Sequence, residues 1–123
     1  MKPASKPSIL IVDDEPELLF SFSLMLGEEF NVLTADNGLE ALLIIKEVPL
    51  SLMILDLKMP GLSGVELIEC FRNSNCKVPI IVLTGNLDYA VNPSDQTLQV
   101  LVIHKPVSIN ELIGEIRKTL GIC

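Results

Sequence analysis

The sequence predicts an α/β domain: a doubly wound, five-stranded parallel sheet with helices on both faces. Three observations carry that expectation. Five short runs (residues 8–12, 30–35, 50–55, 78–83 and 98–103) are largely apolar, as strands buried on both faces are. Between them lie segments whose apolar residues recur at helical spacing. The alternation of the two element types is the pattern of β–α–β crossovers, which are right-handed and place helices against both faces of a sheet.

The first strand, SILIV at 8–12, runs into Asp13-Asp14-Glu15. Pro16 follows and suits a first helical turn, where its missing N–H costs nothing. Leu18, Leu19, Phe22, Met25 and Leu26 then form the apolar side of a helix that Gly27 closes. The run at 30–35 is strand two. Asn37 caps the next helix, with Glu40 three residues on, and that helix extends to about Glu47. Strand three is the run at 50–55, ending at Asp56, with Pro60-Gly61 forcing a turn soon after. Ser63 and Glu66 repeat the capping pattern ahead of Val65, Leu67, Ile68 and Phe71. Strand four, VPIIVL, ends at Thr84-Gly85, and strand five, LQVLVI, ends at His104-Lys105-Pro106. Ser108 and Glu111 cap a last helix carrying Leu112, Ile113, Ile116 and Leu120. The segment 86–97 is expected to be a short or broken fourth helix, because Asn92-Pro93-Ser94-Asp95 reads as a turn.

At 123 residues, with 49% apolar and 20% charged residues, the chain is expected to be one globular domain with an aliphatic core. No apolar run approaches the roughly 20 residues of a membrane span, and the N-terminal run is too short for a signal peptide. No contact with a membrane and a cytoplasmic location are therefore expected. The three cysteines lack zinc-type pairing and are expected to be free thiols. A net charge of −7 without a basic stripe argues against direct nucleic-acid binding.

The carboxyl ends of parallel strands share one edge, where open α/β sheets bind their ligands. That edge would collect Asp13, Asp14, Asp56, Thr84 and Lys105. Taken singly, each reads as a turn or cap residue. Together they read as a site. Clustered carboxylates call for a cation, and Mg²⁺ is a hard ion that takes oxygen ligands and leaves room for a phosphoryl oxygen. Lys105 and Thr84 supply what the outer phosphoryl oxygens need. The chemistry that fits is attack of the Asp56 carboxylate on a phosphoryl group to give an acyl phosphate.

The motifs ILIVDDEPELL, MILDLKMPGLSG, IIVLTG and HKP occur in this order, and with them the chain resembles the receiver domain of bacterial two-component response regulators from about Ser8 to Leu120. The resemblance implies a flavodoxin-like (βα)5 fold with strand order 2-1-3-4-5, residues 1–7 being an N-terminal extension and 121–123 a tail. It implies Asp56 as both phosphoacceptor and Mg²⁺ ligand, and Asp14 as a direct Mg²⁺ ligand. Asp13 would be a ligand or act through water, and the Lys58 backbone carbonyl would complete the protein's share of the metal shell. Thr84 resembles the switch hydroxyl, and Lys105 the phosphate partner before a cis bond to Pro106. Pro60, Gly61 and Gly85 fall at the matching turns. Lys58 and Asn86 resemble positions that tune dephosphorylation.

Two departures stand out. Val102 occupies the position where the family carries a switch aromatic, and Pro93 interrupts the fourth helix. Both fall on the face through which activated receivers dimerise or bind targets, so a homodimer is left open. Tyr89 is an aromatic in that region. The expected function is a switch phosphorylated by a sensor histidine kinase or phosphotransfer protein and read by a downstream protein target. It would catalyse only its own phosphorylation and dephosphorylation and would not be a turnover enzyme. The alternative is a phosphorylation-independent docking module with a vestigial pocket. A Mg²⁺-dependent phosphohydrolase fits less well, because Lys58 stands where such enzymes place a second acid. No second domain is expected after the last helix.

Overall fold

The computed structural model describes residues 6–56, 69–70, 78–85 and 100–121. Its described strands are β1 (Ser8–Val12), β2 (Asn31–Ala35), β3 (Leu52–Asp56), β4 (Ile80–Thr84) and β5 (Val100–His104). They form one sheet in the order β2-β1-β3-β4-β5, and every neighbouring pair is parallel. The described helices are α1 (Pro16–Leu26), α2 (Gly38–Glu47) and α3 (Ile109–Leu120), with Glu69 and Cys70 also helical. The helix expected from Ser63 lies mostly, and the segment 86–97 wholly, outside the described residues.

Strand alternation sorts the core onto the two faces of the sheet. Leu10, Val12, Met53, Leu55, Ile80 and Val82 pack with Ala41 of α2. Ile9, Ile11, Ile54 and Ile81 pack on the other face with Leu19 and Leu26 of α1 and Leu112 and Ile116 of α3. β3 is buried at all five positions. Each such aliphatic side chain contributes about 1.5–3 kcal/mol by leaving water, so the centre of the sheet is the rigid platform beneath the strand ends.

The caps follow the sequence closely. Asn37 Oδ1 accepts from Glu40 N–H at 2.8 Å, and Ser108 Oγ accepts from Glu111 N–H at 3.1 Å. Pro16 opens α1. Gly27 ends α1 in a right-handed conformation, φ −66°; glycine is required there because a Cβ would lie 2.7 Å from the Ser23 carbonyl oxygen. Lys6 Nζ donates to the Gly27 carbonyl at 3.0 Å, placing a cation at the helix C-terminus, where the macrodipole favours one. Gly121 ends α3 the other way, with φ +73°, a left-handed cap that suits glycine.

Some expectations need correction. Met25 is 55% exposed. Seven of the eleven α1 residues are large apolar side chains (PELLFSFSLML), and so dense a set leaves the buried stripe undetermined by spacing. Phe30 precedes β2: its N–H donates to the Leu26 carbonyl at 2.9 Å, and its ring is buried beneath the α1 side of the sheet. β3 starts at Leu52, after a rung from Ser51 N–H to the Ser8 carbonyl.

Candidate phosphoryl-transfer site

The strand ends converge as the topology requires. Asp13, Asp56 and Thr84 are the buried polar residues of the described chain, at 2%, 9% and 3% exposure. Asp13 extends β1 by one rung, donating its N–H to the Ala35 carbonyl at 3.1 Å. Its Oδ1 accepts the Glu15 N–H at 2.9 Å, which ties the start of α1 to the end of β1. Lys105 is held from the far side of the sheet, its N–H donating to the Thr84 carbonyl at 2.8 Å. The bond from Lys105 to Pro106 is cis.

Alternation puts Asp56 on the α1–α3 face after Ile54, and the one extra rung that each makes keeps Asp13 and Lys105 on it after Ile11 and Ile103. Lys105 Nζ reaches Asp56 Oδ2 at 3.5 Å, with the Asp56 side chain largely buried and the Lys105 side chain about a third exposed. A cavity of about 430 Å³ opens beside this pair, lined by Asp14, Glu15, Asp56, Thr84, Gly85 and Lys105. The carboxylates of Asp13, Asp14 and Glu15 offer oxygens that all lie within 4.8 Å of one another.

Asp13 is the most deeply buried of these carboxylates. Its carboxyl is pushed up to about 6, chiefly by desolvation; the hydrogen bond from Glu15 N–H opposes the rise, the Asp56 charge adds to it and Lys105 offsets part. A buried carboxylate of raised pKa, with two more carboxylates beside it, is a set of hard oxygen donors whose charge a divalent cation would relieve. The donor set fits Mg²⁺.

Of the residues the sequence singles out, Asp13, Asp14, Asp56, Thr84, Gly85 and Lys105 are brought together here. Lys58, Pro60, Gly61 and Asn86 lie outside the described residues. Val102 is half-buried and packs against the α2 side of the core, on the face opposite the Asp56–Lys105 pair. His104 is exposed. Sequence reasoning passed over Glu15 as a site residue. Its signal was the third acid of the Asp13-Asp14-Glu15 run, but past a strand end alternation no longer says which way a side chain faces.

A family model described as "Response regulator receiver domain" matches residues 9–117. The chain is 35% identical over 116 residues to a protein of Vibrio cholerae named "Probable cyclic di-GMP phosphodiesterase", covering 89% of this chain and 25% of that protein. It is 30% identical over 122 residues to "DNA-binding response regulator MtrA" of Mycolicibacterium smegmatis, covering 91% of this chain and 50% of that one. The chain thus spans between a quarter and a half of these two relatives. Among solved structures, the response regulator TrrA of Thermotoga maritima in complex with Mg(2+)-BeF superposes with a TM-score of 0.80 at 34% identity, covering 93% of this chain and 99% of that one. TrrA in complex with the histidine kinase ThkA gives a TM-score of 0.78 at 34% identity, covering 93% of this chain and 98% of that one.

Proposed function

The chain belongs to the response regulator receiver domain family, and on that premise we propose that it is a phosphorylation switch whose phosphoacceptor is Asp56, with Mg²⁺ held by Asp13, Asp14, Asp56 and the Lys58 backbone carbonyl. The observation that carries this reading is the Asp56 carboxylate in a cavity between the Asp14–Glu15 wall and the Lys105 ammonium. A nucleophile, a cation site and a fixed positive charge are what phosphoryl transfer needs, since its catalysis is mostly positioning and charge neutralisation. The receiver unit is taken as residues 8–120.

In the forward step an Asp56 oxygen attacks the phosphorus of a phosphohistidine on a sensor histidine kinase or phosphotransfer protein. The new P–O bond forms as the P–N bond breaks, and the imidazole nitrogen keeps the electron pair. Bound Mg²⁺ supplies charge neutralisation at the phosphoryl oxygens. Lys105 exchanges its carboxylate partner for a phosphoryl oxygen, and the Thr84 hydroxyl hydrogen-bonds another. That exchange moves the β4 and β5 ends, a population shift that a downstream protein reads. Water later attacks the phosphorus and releases inorganic phosphate, at a rate that Lys58 and Asn86 tune through access to the site. Cytoplasmic residence fits such partners; among the described residues no helix is long and apolar enough to cross a membrane.

The test is intact mass after incubation with acetyl phosphate, with and without Mg²⁺, on wild type and Asp56→Asn. One phosphoryl adduct that requires both Mg²⁺ and Asp56 supports the switch. A folded, Mg²⁺-binding protein that takes no adduct overturns it and leaves the docking-module reading, for which Val102 is the residue to test.

A further inference from the structure

Beside the phosphoryl cavity lies a second one of about 320 Å³. Its walls are apolar, including Leu18 and Phe22 of α1, Leu83 of β4 and Val107 after β5. Among the described residues, the two cavities have just Glu15 and Lys105 in common. The two residues therefore stand where the spaces meet, and they carry opposite charges. Lys105 is committed to the phosphoryl side, with its ammonium 3.5 Å from Asp56 Oδ2. Glu15 is exposed and sits in the acid cluster with Asp13 and Asp14, but the Mg²⁺ shell proposed above does not use it, so its carboxylate can act on whatever occupies the apolar recess.

We infer that the recess receives the leaving group of the phosphodonor and that Glu15 selects its charge, favouring an imidazolium ring over a carboxylate. The inference rests on Asp56 being the phosphoacceptor and deepens that reading. An N-phosphorylated imidazole reacts with its far ring nitrogen protonated. The P–N bond breaks as the P–O bond to Asp56 forms, and the ring leaves as neutral imidazole, still carrying that N–H. Glu15 accepts the N–H throughout, while the flat ring faces lie against the apolar walls. An acyl phosphate instead expels a carboxylate anion. Its P–O bond breaks with the electron pair on the departing oxygen, next to the negative Glu15. The same residue thus assists one donor class and opposes the other, a selection made through repulsion as much as attraction.

The experiment compares rates of Asp56 phosphorylation by N-phosphorylimidazole and by acetyl phosphate in wild type, Glu15→Gln and Glu15→Asp. Mg²⁺ is kept saturating for each protein, as established by titration calorimetry. Glu15→Gln is expected to slow phosphorylation by N-phosphorylimidazole about fivefold and to speed phosphorylation by acetyl phosphate about as much, the size of one exposed charge interaction. Glu15→Asp keeps the charge and should restore the wild-type order of donors. Rates that move in the same direction for both donors, as loss of a metal ligand would produce, overturn the inference, as do unchanged rates. If neither donor labels wild-type Asp56, the phosphoacceptor reading fails, and the inference goes with it.

Discussion

Lys105 Nζ stands 3.5 Å from Asp56 Oδ2, across 49 residues of sequence. The pair joins the ends of two strands that do not touch, since β4 lies between β3 and β5. Its geometry is therefore a property of the whole sheet edge.

The Lys105 side chain is still about a third exposed, so solvent screens the pair and its effect on stability is small. Lys105→Ala should change unfolding free energy by less than about 1 kcal/mol in urea titration. Phosphorylation of Asp56 by acetyl phosphate should fall by more than about tenfold, since charge stabilisation at the phosphoryl oxygens is lost. A variant that loses several kcal/mol of stability would show that Lys105 is mainly a structural residue.

Asp13 gives stability a pH signature. Its carboxyl titrates at about 6 in the folded chain against an ordinary 3.8. A folded-state pKa above the unfolded one contributes stability that is complete below pH 3.8 and lost as pH rises towards 6. Without divalent ions, Asp13→Asn should thus match wild type near pH 4 and gain on it by on the order of 1–3 kcal/mol by pH 7. Urea unfolding in chelator across that range is the measurement. A difference that does not vary with pH would refute the burial of this charge.

The same protonation competes with a cation. Mg²⁺ affinity should strengthen as pH rises from 5 to 7, with protons released on binding near pH 6, where Asp13 titrates. Calorimetry in two buffers of different ionisation enthalpy would detect the release. Asp14→Asn should weaken binding at every pH, while Thr84→Ala should leave it unchanged.

Ser108 supplies the N-cap of α3 through its bond to Glu111 N–H. Ser108→Ala should cost about 1 kcal/mol of stability and leave the rate of Asp56 phosphorylation within twofold of wild type. Thermal unfolding and intact mass together check this.

The sheet was legible because its inner strands admit one interpretation. SILIV and LMILD have no polar face to offer water, so they belong at the centre of a parallel sheet, and the acids that follow them fall on its ligand edge. The starts of the three described helices were legible through Asn37, Ser108 and Pro16, whose chemistry is local. Side-chain direction beyond the strand ends was not. Glu15 reads as one more acid in a run until the bend held by Asp13 Oδ1 turns it to the mouth of two cavities. Helix α1 was legible as a helix but not as an oriented one, because Phe20, Leu24 and Met25 are as apolar as Leu19 and Leu26 yet stay exposed. The start of β2 shifted at Phe30 because its N–H closes the turn after α1 on the Leu26 carbonyl.

The rung from Lys105 N–H to the Thr84 carbonyl lies one residue past the last β4–β5 register pair, Thr84 with His104. It closes the ladder at the end where fraying begins, and it carries a site residue on each side. Amide hydrogen exchange at Lys105 therefore reads the integrity of the site directly: slow exchange marks the time for which the ammonium and the Thr84 hydroxyl stay in register. A ligand that binds at this edge need not rigidify the domain. It has only to suppress the fraying of one terminal rung.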